Sequence, residues 1–204
     1  LQGETIPVND NLFVYTLREP LGIVAGITPW NFPLLMAARK IAPAIAAGNA
    51  CILKPAQATP LTALLLAECI REAKVPAGIV SVLNGKGSEV GQAIVEHRDI
   101  AAISFTGSTN VGIKMVRDAA PTLKKLTMEL GGKSPNVIFA DADLDSAIKG
   151  AQAAIFYNKG EVCTAGSRLL VEEKVYDETV EKLAARAKKM THADPLDEEC
   201  RWGP

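Results

Sequence analysis

Ile100-Ala101-Ala102-Ile103-Ser104-Phe105-Thr106-Gly107-Ser108-Thr109-Asn110-Val111-Gly112 is the stretch that decides the fold. A short β-prone run, Ile100–Phe105, gives way at a Gly-Ser joint to a helical pattern over Ser108–Ala119. A serine at a helix start is a natural N-cap. The same unit recurs on either side. Upstream, strand-like Gly22–Ile27, Ala50–Leu53 and Ile79–Leu83 alternate with helix-like Leu34–Ala47, Leu61–Lys74 and Ser88–Glu96; downstream, Leu123–Met128 follows as a strand. Thr59-Pro60 supplies an N-cap and a first-turn proline to the helix at Leu61. Strands separated by helices imply parallel βαβ units, hence a Rossmann-like, doubly wound α/β sheet.

Such sheets bind ligands beyond the carboxyl ends of their strands, and the residues just after each strand are accordingly informative. They are Thr28-Pro29-Trp30-Asn31-Phe32-Pro33, Lys54-Pro55-Ala56-Gln57, Asn84-Gly85-Lys86-Gly87, Thr106-Gly107-Ser108 and Glu129-Leu130-Gly131-Gly132-Lys133. Every joint carries a glycine, an amide, a hydroxyl or a charge. Gly107, Ser108 and Gly112 resemble a dinucleotide fingerprint without its first glycine, with helix N–H groups available to a pyrophosphate. An ordinary capped helix start reads the same way.

Before this sheet, Thr5–Val8 and Leu12–Leu17 flank the turn Asn9-Asp10-Asn11 and predict a hairpin. A lone hairpin is marginal, so it must lean on the rest of the chain or on a partner subunit. After Lys133 the pattern restarts with strand Asn136–Phe139, helix Leu144–Tyr157, a polar loop, strand Leu169–Val171 and helix Val175–Met190. Val175, Val180, Leu183, Ala184 and Ala187 form the apolar stripe of that last helix. The polar loop, Asn158-Lys159-Gly160-Glu161-Val162-Cys163-Thr164-Ala165-Gly166-Ser167, sets one cysteine among small and polar residues. That is the setting of a presented thiol nucleophile, although an ordinary turn cysteine also fits.

At 204 residues, of which 48% are hydrophobic, the chain can bury a large core without disulfides or metal. A net charge of −1 with well-mixed signs gives no basis for nucleic acid or anionic membrane as partner, and the apolar runs are too short for a membrane span. Cys51, Cys69, Cys163 and Cys200 lack CxxC spacing and nearby paired histidines, so no metal site is expected. Cys51 and Cys69 read as small buried hydrophobes. No secretory signal is present, which predicts a cytoplasmic protein, or an organellar one if a targeting peptide precedes Leu1. His97 and His192 belong to no local constellation. Glu129, at a strand end beside a Gly-Gly pair, is the better proton acceptor for a thiol, provided that partial burial raises its pKa.

Pro29-Trp30-Asn31-Phe32-Pro33, Phe105-Thr106-Gly107-Ser108-Thr109, Glu129-Leu130-Gly131-Gly132-Lys133-Ser134-Pro135 and the Cys163 loop together resemble the NAD(P)-dependent aldehyde dehydrogenase superfamily, in unbroken order from about Gly3 to Pro204. The resemblance implies a small-molecule aldehyde as substrate and NAD or NADP as cofactor. It implies Cys163 as nucleophile, Glu129 as base, and Asn31 with the Cys163 N–H as holders of the oxyanion. By the same resemblance Ile27, Thr28, Pro29, Trp30, Lys54, Gln57, Gly87, Gly91, Phe105, Thr106, Gly107, Ser108, Val111, Leu130 and Gly131 contact the cofactor. Lys40 matches a position linked in the family to proton relay. The implied organisation is a hairpin arm over 1–19 that packs in a homodimer or homotetramer, a dinucleotide-binding domain over 20–131, and the start of a catalytic domain over 132–204.

Three departures from the family pattern carry expectations. Gln57 replaces a glutamate that grips the adenosine ribose and repels a 2′-phosphate, which opens the site to NADP. Glu161 replaces a glutamine; a carboxylate aimed at Cys163 would oppose the thiolate, so Glu161 is expected to turn away or pair with a cation. Members are more than twice this length, and their later Glu-x-Phe-Gly-Pro motif is absent from these 204 residues, which predicts weak or no turnover for the fragment alone. Glu129 argues against the CoA-acylating relatives. The alternative is a non-catalytic, crystallin-like or dinucleotide-binding protein of the same fold.

Overall fold

A computed structural model describes residues 2–198 and Cys200. The chain divides into two compact units between Leu130 and Gly131.

The first unit opens with a hairpin of β1 (Thr5–Asn9) and β2 (Leu12–Tyr15), paired from Thr5↔Tyr15 and closed by the Thr16 N–H on the Glu4 carbonyl at 2.8 Å. The Asn9 carboxamide oxygen accepts from the Asn11 N–H at 3.0 Å and shapes the turn. Every residue of both strands except half-buried Val14 is exposed.

A five-stranded sheet follows. Its members are β3 (Ile23–Ile27), β4 (Ala50–Lys54), β5 (Val80–Val82), β6 (Ile100–Thr106) and β7 (Lys125–Glu129), in the order β5-β4-β3-β6-β7 with every pairing parallel. The chain runs outward from β3 to β5 and then returns to the far side of β3 as β6. The order therefore reverses between β3 and β6, the place where such sheets open a ligand crevice. Helices α1 (Pro33–Ala46) and α2 (Leu61–Glu72) pack with Ala37, Ile41, Ala63, Cys51 and Leu53 in one core layer. A π-turn over Gly87–Gly91 running into α3 (Gln92–Glu96), together with α4 (Thr109–Ala119), covers the other layer, where Ala25, Ile103, Phe105, Val95 and Met115 meet. The two layers arise because alternate residues of each strand point to opposite faces.

The structure departs from expectation at particular residues. Thr59 does not cap α2; its hydroxyl donates to the Trp30 carbonyl at 3.2 Å, and Pro60 holds the cap position without a side-chain bond. Leu123 does not begin a strand: it is left-handed (φ 52°) and 91% exposed, and β7 starts two residues later. Cys69 is exposed on α2, whereas Cys51 is buried. Hydrophobic composition predicted burial for both, but Cys69 lies on the outer side of its helix.

The second unit pairs β8 (Pro135–Ile138) with β9 (Arg168–Val171) in parallel and adds α5 (Leu144–Phe156) and α6 (Tyr176–Ala187). Asp143 caps α5 by accepting from the Ser146 N–H at 3.3 Å and hydroxyl at 2.8 Å. These bonds hold its carboxyl below the usual carboxylate range. The inward stripe of α6 is Thr179, Leu183 and Ala187; Val180 and Ala184 are exposed, which corrects the expected stripe. Fully buried Thr179 is tolerated because its hydroxyl donates back to the Val175 carbonyl at 2.6 Å. Residues 188–190, expected to continue the helix, lie beyond its end. Among the described residues no helix is long and apolar enough to cross a membrane.

Candidate active site

In the first unit the candidate residues gather at the carboxyl edge of the parallel sheet. The joint from β3 to α1 begins at Thr28, whose N–H bonds the Lys54 carbonyl at 3.1 Å and so extends the β3–β4 ladder by one residue. Its hydroxyl is buried with no hydrogen-bond partner among the described residues. An orphaned buried hydroxyl is rare in a finished structure and marks a place for a ligand atom or an ordered water. Asn31 is half-buried in the same joint, two residues before Pro33 starts α1, and the Thr59 hydroxyl on Trp30 ties this joint to the segment leading into α2.

Beside this joint lies a cavity of about 370 Å³. Its wall joins strand ends to helix starts: Ile27 and Phe105 from the sheet, Lys54 from the end of β4, Gly87 and Gly91 from the π-turn, and Val111 from α4. A π-turn at a cavity mouth is a recurrent functional feature. Lys54 is buried, and this burial lowers its pKa; its ammonium donates to the Pro55 carbonyl at 3.0 Å. Ser88, Gln92, Lys114 and Asp118, which sequence reading did not single out, also line the cavity. Lys114 pairs with Asp118 and donates to Gln92 Oε1 at 2.6 Å, while Gln92 Nε2 donates to Asp118 at 3.0 Å. The Lys114 ammonium, then the Gln92 amide, hold the Asp118 carboxyl below its ordinary range. The signal that could have found this wall is helical spacing, with Gly87, Gly91 and Val95 four residues apart and Val111 and Met115 likewise.

At Gly107 and Gly112 the missing side chain makes room for the chain itself. A Cβ at Gly107 would lie 2.5 Å from the Phe105 ring, and one at Gly112 would lie 2.7 Å from Leu130. Both spaces are filled by the chain's own side chains, so these glycines serve packing around the β6–α4 joint. At Gly87, by contrast, nothing lies within 4 Å of an added Cβ. The largely apolar cavity, the Lys54 cation, the open backbone at Gly87 and the orphaned Thr28 hydroxyl are a donor set that fits a dinucleotide. Pro29, Trp30, Gln57, Thr106, Ser108 and Leu130 lie outside the cavity wall; Gln57 is exposed in the loop after β4.

On the opposite sheet face, Lys40 of α1 is buried and donates to the Ser104 and Thr106 hydroxyls, each at 2.9 Å. Burial, only partly offset by the nearby Glu129 carboxylate, lowers its pKa from 10.5 to about 8. Glu129 closes β7 directly across from Thr106, and its carbonyl accepts the Gly107 N–H at 3.1 Å. Its side chain is exposed, so the partial burial expected of it is not found.

In the second unit, Cys163 is exposed in the loop between α5 and β9. That loop enters through consecutive left-handed residues, Asn158 (φ 49°), Lys159 (φ 59°) and Gly160 (φ 81°). Left-handed backbone at non-glycine residues costs of order 1–3 kcal/mol each and collects at functional sites. The exit is pinned: the Gly166 N–H bonds the Ala154 carbonyl at 3.0 Å, and the Arg168 N–H bonds Ser134 at 3.3 Å. Gly132 lies close enough to the Cys163 carbonyl that a Cβ there would come within 2.9 Å. Glu161 pairs with Lys159 at 3.4 Å. Among the described residues no cluster of three or more His, Cys, Asp or Glu is placed to hold a metal ion. Gly131 opens this unit.

Known proteins share this fold. An aldehyde dehydrogenase from Enchytraeus buchholzi is 52% identical over 203 residues, covering 99% of this chain and 41% of the relative. Retinaldehyde dehydrogenase 3 of Mus musculus is 52% identical, covering all of this chain and 40% of its own length. The chain thus spans about two fifths of the curated relatives that it matches. Among solved structures, the NAD+ complex of a Bacillus cereus aldehyde dehydrogenase superposes with a TM-score of 0.96 at 45% identity, covering 100% of this chain and 42% of that one. An E. coli NADP-dependent enzyme superposes with a TM-score of 0.95 at 42% identity, with the same coverage. The sequence profile described as the aldehyde dehydrogenase family matches residues 1–204, and with half-identity along its whole length the chain belongs to that family.

Proposed function

We propose that the protein carrying this chain oxidises an aldehyde to a carboxylic acid with NAD or NADP, through a covalent intermediate on Cys163. The observation that carries the reading is an exposed cysteine in a strained, pinned loop, in a chain whose other unit holds a largely apolar cavity of about 370 Å³ at its sheet edge. Residues 20–131 would hold the cofactor, residues from 132 would begin the catalytic domain, and the exposed hairpin over 1–19 would pack on a second subunit in a dimer or tetramer.

The chemistry divides among the chain's own groups. The Cys163 thiol gives its proton to the Glu129 carboxylate, and its sulfur adds to the aldehyde carbon. The new C–O⁻ is held by the Asn31 amide and the Cys163 N–H, donors that strengthen as charge develops. NAD(P)+, when bound, would supply the hydride acceptor. Loss of hydride leaves a thioester on Cys163; Glu129, having passed the thiol proton on to solvent, takes a proton from water, whose oxygen attacks the acyl carbon and releases the acid and the thiolate. Lys54, Thr28 and the Gly87 backbone would hold the dinucleotide. Gln57, which brings no charge to the end of β4, leaves room for a 2′-phosphate.

The test follows NADH and NADPH formation from a short aliphatic aldehyde by the full-length protein and its Cys163→Ala variant. Turnover that disappears with the sulfur is the expected result. A protein that binds cofactor but reduces it with no aldehyde would return the reading to a binding or structural role.

A further inference from the structure

The largely apolar cavity of the first unit carries one polar cluster that the reading above leaves unused. Gly87 and Gly91 line it from the π-turn and Val111 from α4. An added Cβ at Gly87 would meet nothing within 4 Å, and one at Gly91 only the Lys54 side chain, at 3.7 Å. Bare backbone on one side and an aliphatic side chain on the other suit a flat ring. Lys114 and Asp118 follow Val111 along α4, about 4.5 and 10 Å further down the axis, and Gln92 meets them from α3.

The bonds within this cluster leave a defined remainder. Gln92 uses both amide hydrogens, on Glu96 at 2.6 Å and on Asp118 at 3.0 Å, and its oxygen accepts from Lys114 at 2.6 Å. Both bonds to Asp118 fall on Oδ2. Among the described residues, one Lys114 ammonium hydrogen and the Asp118 Oδ1 oxygen are therefore without a hydrogen bond. Only 25% of the Asp118 side chain is exposed, and Lys114, then Gln92, hold its carboxyl below the ordinary range, so it is an ionised acceptor. The Watson–Crick edge of adenine offers the complementary pair, a donor at N6 and an acceptor at N1, whereas hypoxanthine presents the two in reverse. We propose that Asp118 and Lys114 read the base of the dinucleotide: adenine lies between the Gly87–Gly91 backbone and Val111, its N6 amine donates to Asp118 and its N1 accepts from Lys114. Lys114 and Asp118 stand one turn apart on a single helix, which fixes the order of donor and acceptor and sets hypoxanthine against it. Gln92 acts through both as a positioning residue. The inference rests on the dinucleotide-binding reading above.

The test is binding rather than turnover. The full-length protein is titrated with NADH and with reduced nicotinamide hypoxanthine dinucleotide, which differ at the base alone; dihydronicotinamide fluorescence reports both. NADPH and its hypoxanthine counterpart replace them if NADPH is the tighter ligand. Wild type is expected to bind the adenine form about 10- to 100-fold more tightly, the worth of two hydrogen bonds to charged groups in a partly wet site. In Lys114→Met and in Asp118→Ala that ratio should fall about 3- to 10-fold, through weaker binding of the adenine form. The ratio separates base reading from a structural role, because a variant that merely loosens α3 against α4 weakens both ligands together. Three outcomes overturn the proposal: no preference in wild type, a preference that either variant keeps intact, or a loss equal for both ligands. If both dinucleotides bind with equal affinity, only this inference fails. If no dinucleotide binds, the cofactor reading fails with it.

Discussion

Lys40 offers a quantitative test of how the sheet's carboxyl edge is built. The residue is nine-tenths buried, its ammonium is held by the Ser104 and Thr106 hydroxyls, and burial brings its pKa from 10.5 to about 8. Because the folded value lies below the unfolded one, the unfolded chain binds the extra proton between about pH 8 and 10.5. Stability from this group is therefore fully present above pH 10.5 and is lost as pH falls through about 8, with a span of about 3 kcal/mol. The two hydroxyls favour the charged amine. Replacing them together, Ser104→Ala with Thr106→Val, should lower the titration midpoint by about one further pH unit, the worth of one net hydrogen bond to a charged group. Carbon-13-labelled dimethyl-lysine NMR, with the Lys40 signal assigned from a Lys40→Arg variant, reads the midpoint directly. A midpoint near 10.5 in the parent, or one that the double substitution leaves in place or raises, would refute both the burial and the role of the hydroxyls.

Three further outcomes are expected. Gly107→Ala forces a methyl against the Phe105 ring and should cost about 1–3 kcal/mol, visible as a lowered thermal midpoint with the secondary-structure signal intact. Asn49→Ala removes the acceptor that the Leu21 and Gly22 N–H groups share, at 2.6 and 3.2 Å, and the donor to the Ala44 carbonyl; urea unfolding should show a loss of about 2–3 kcal/mol, with Asn49→Asp losing less because it keeps the acceptor. Gly132→Ala presses on the Cys163 carbonyl and should cut kcat at least 10-fold while the thermal midpoint moves little, since misplacing a reacting group by about 1 Å costs up to 100-fold.

The parallel sheet was legible because its signal is redundant. Runs such as Ile100–Phe105 are too short for helices and too apolar for loops, and each is followed by a helical period, so five weak signals support one topology. Details that depend on a single neighbour were not legible. Thr59 looks like an N-cap, yet the Trp30 carbonyl competes for its hydroxyl and wins. Leu123 continues a β-prone run, yet the chain must turn there after α4, and it takes a left-handed residue to do so. On α6, hydropathy chose Val180 over Thr179, but the threonine can hide its hydroxyl in a backbone bond and the buried face shifts by one residue.

The candidate site divides along the same line, and the division says where chemistry leaves a mark on sequence. Joints built from main chain and charge, such as Lys54-Pro55-Ala56-Gln57 and Asn158-Lys159-Gly160, stand out because glycine, proline and charged residues are costly inside elements. Ser88, Gln92, Lys114 and Asp118 do not stand out, because on a helix they resemble any solvated face until the facing helix is known. The glycines at 107 and 112 show the converse case. They look like a ligand's approach, but Phe105 and Leu130 occupy the space that a Cβ would need. A glycine in a motif therefore signals that something comes close; only the packing around it tells whether that something is a cofactor or the chain itself.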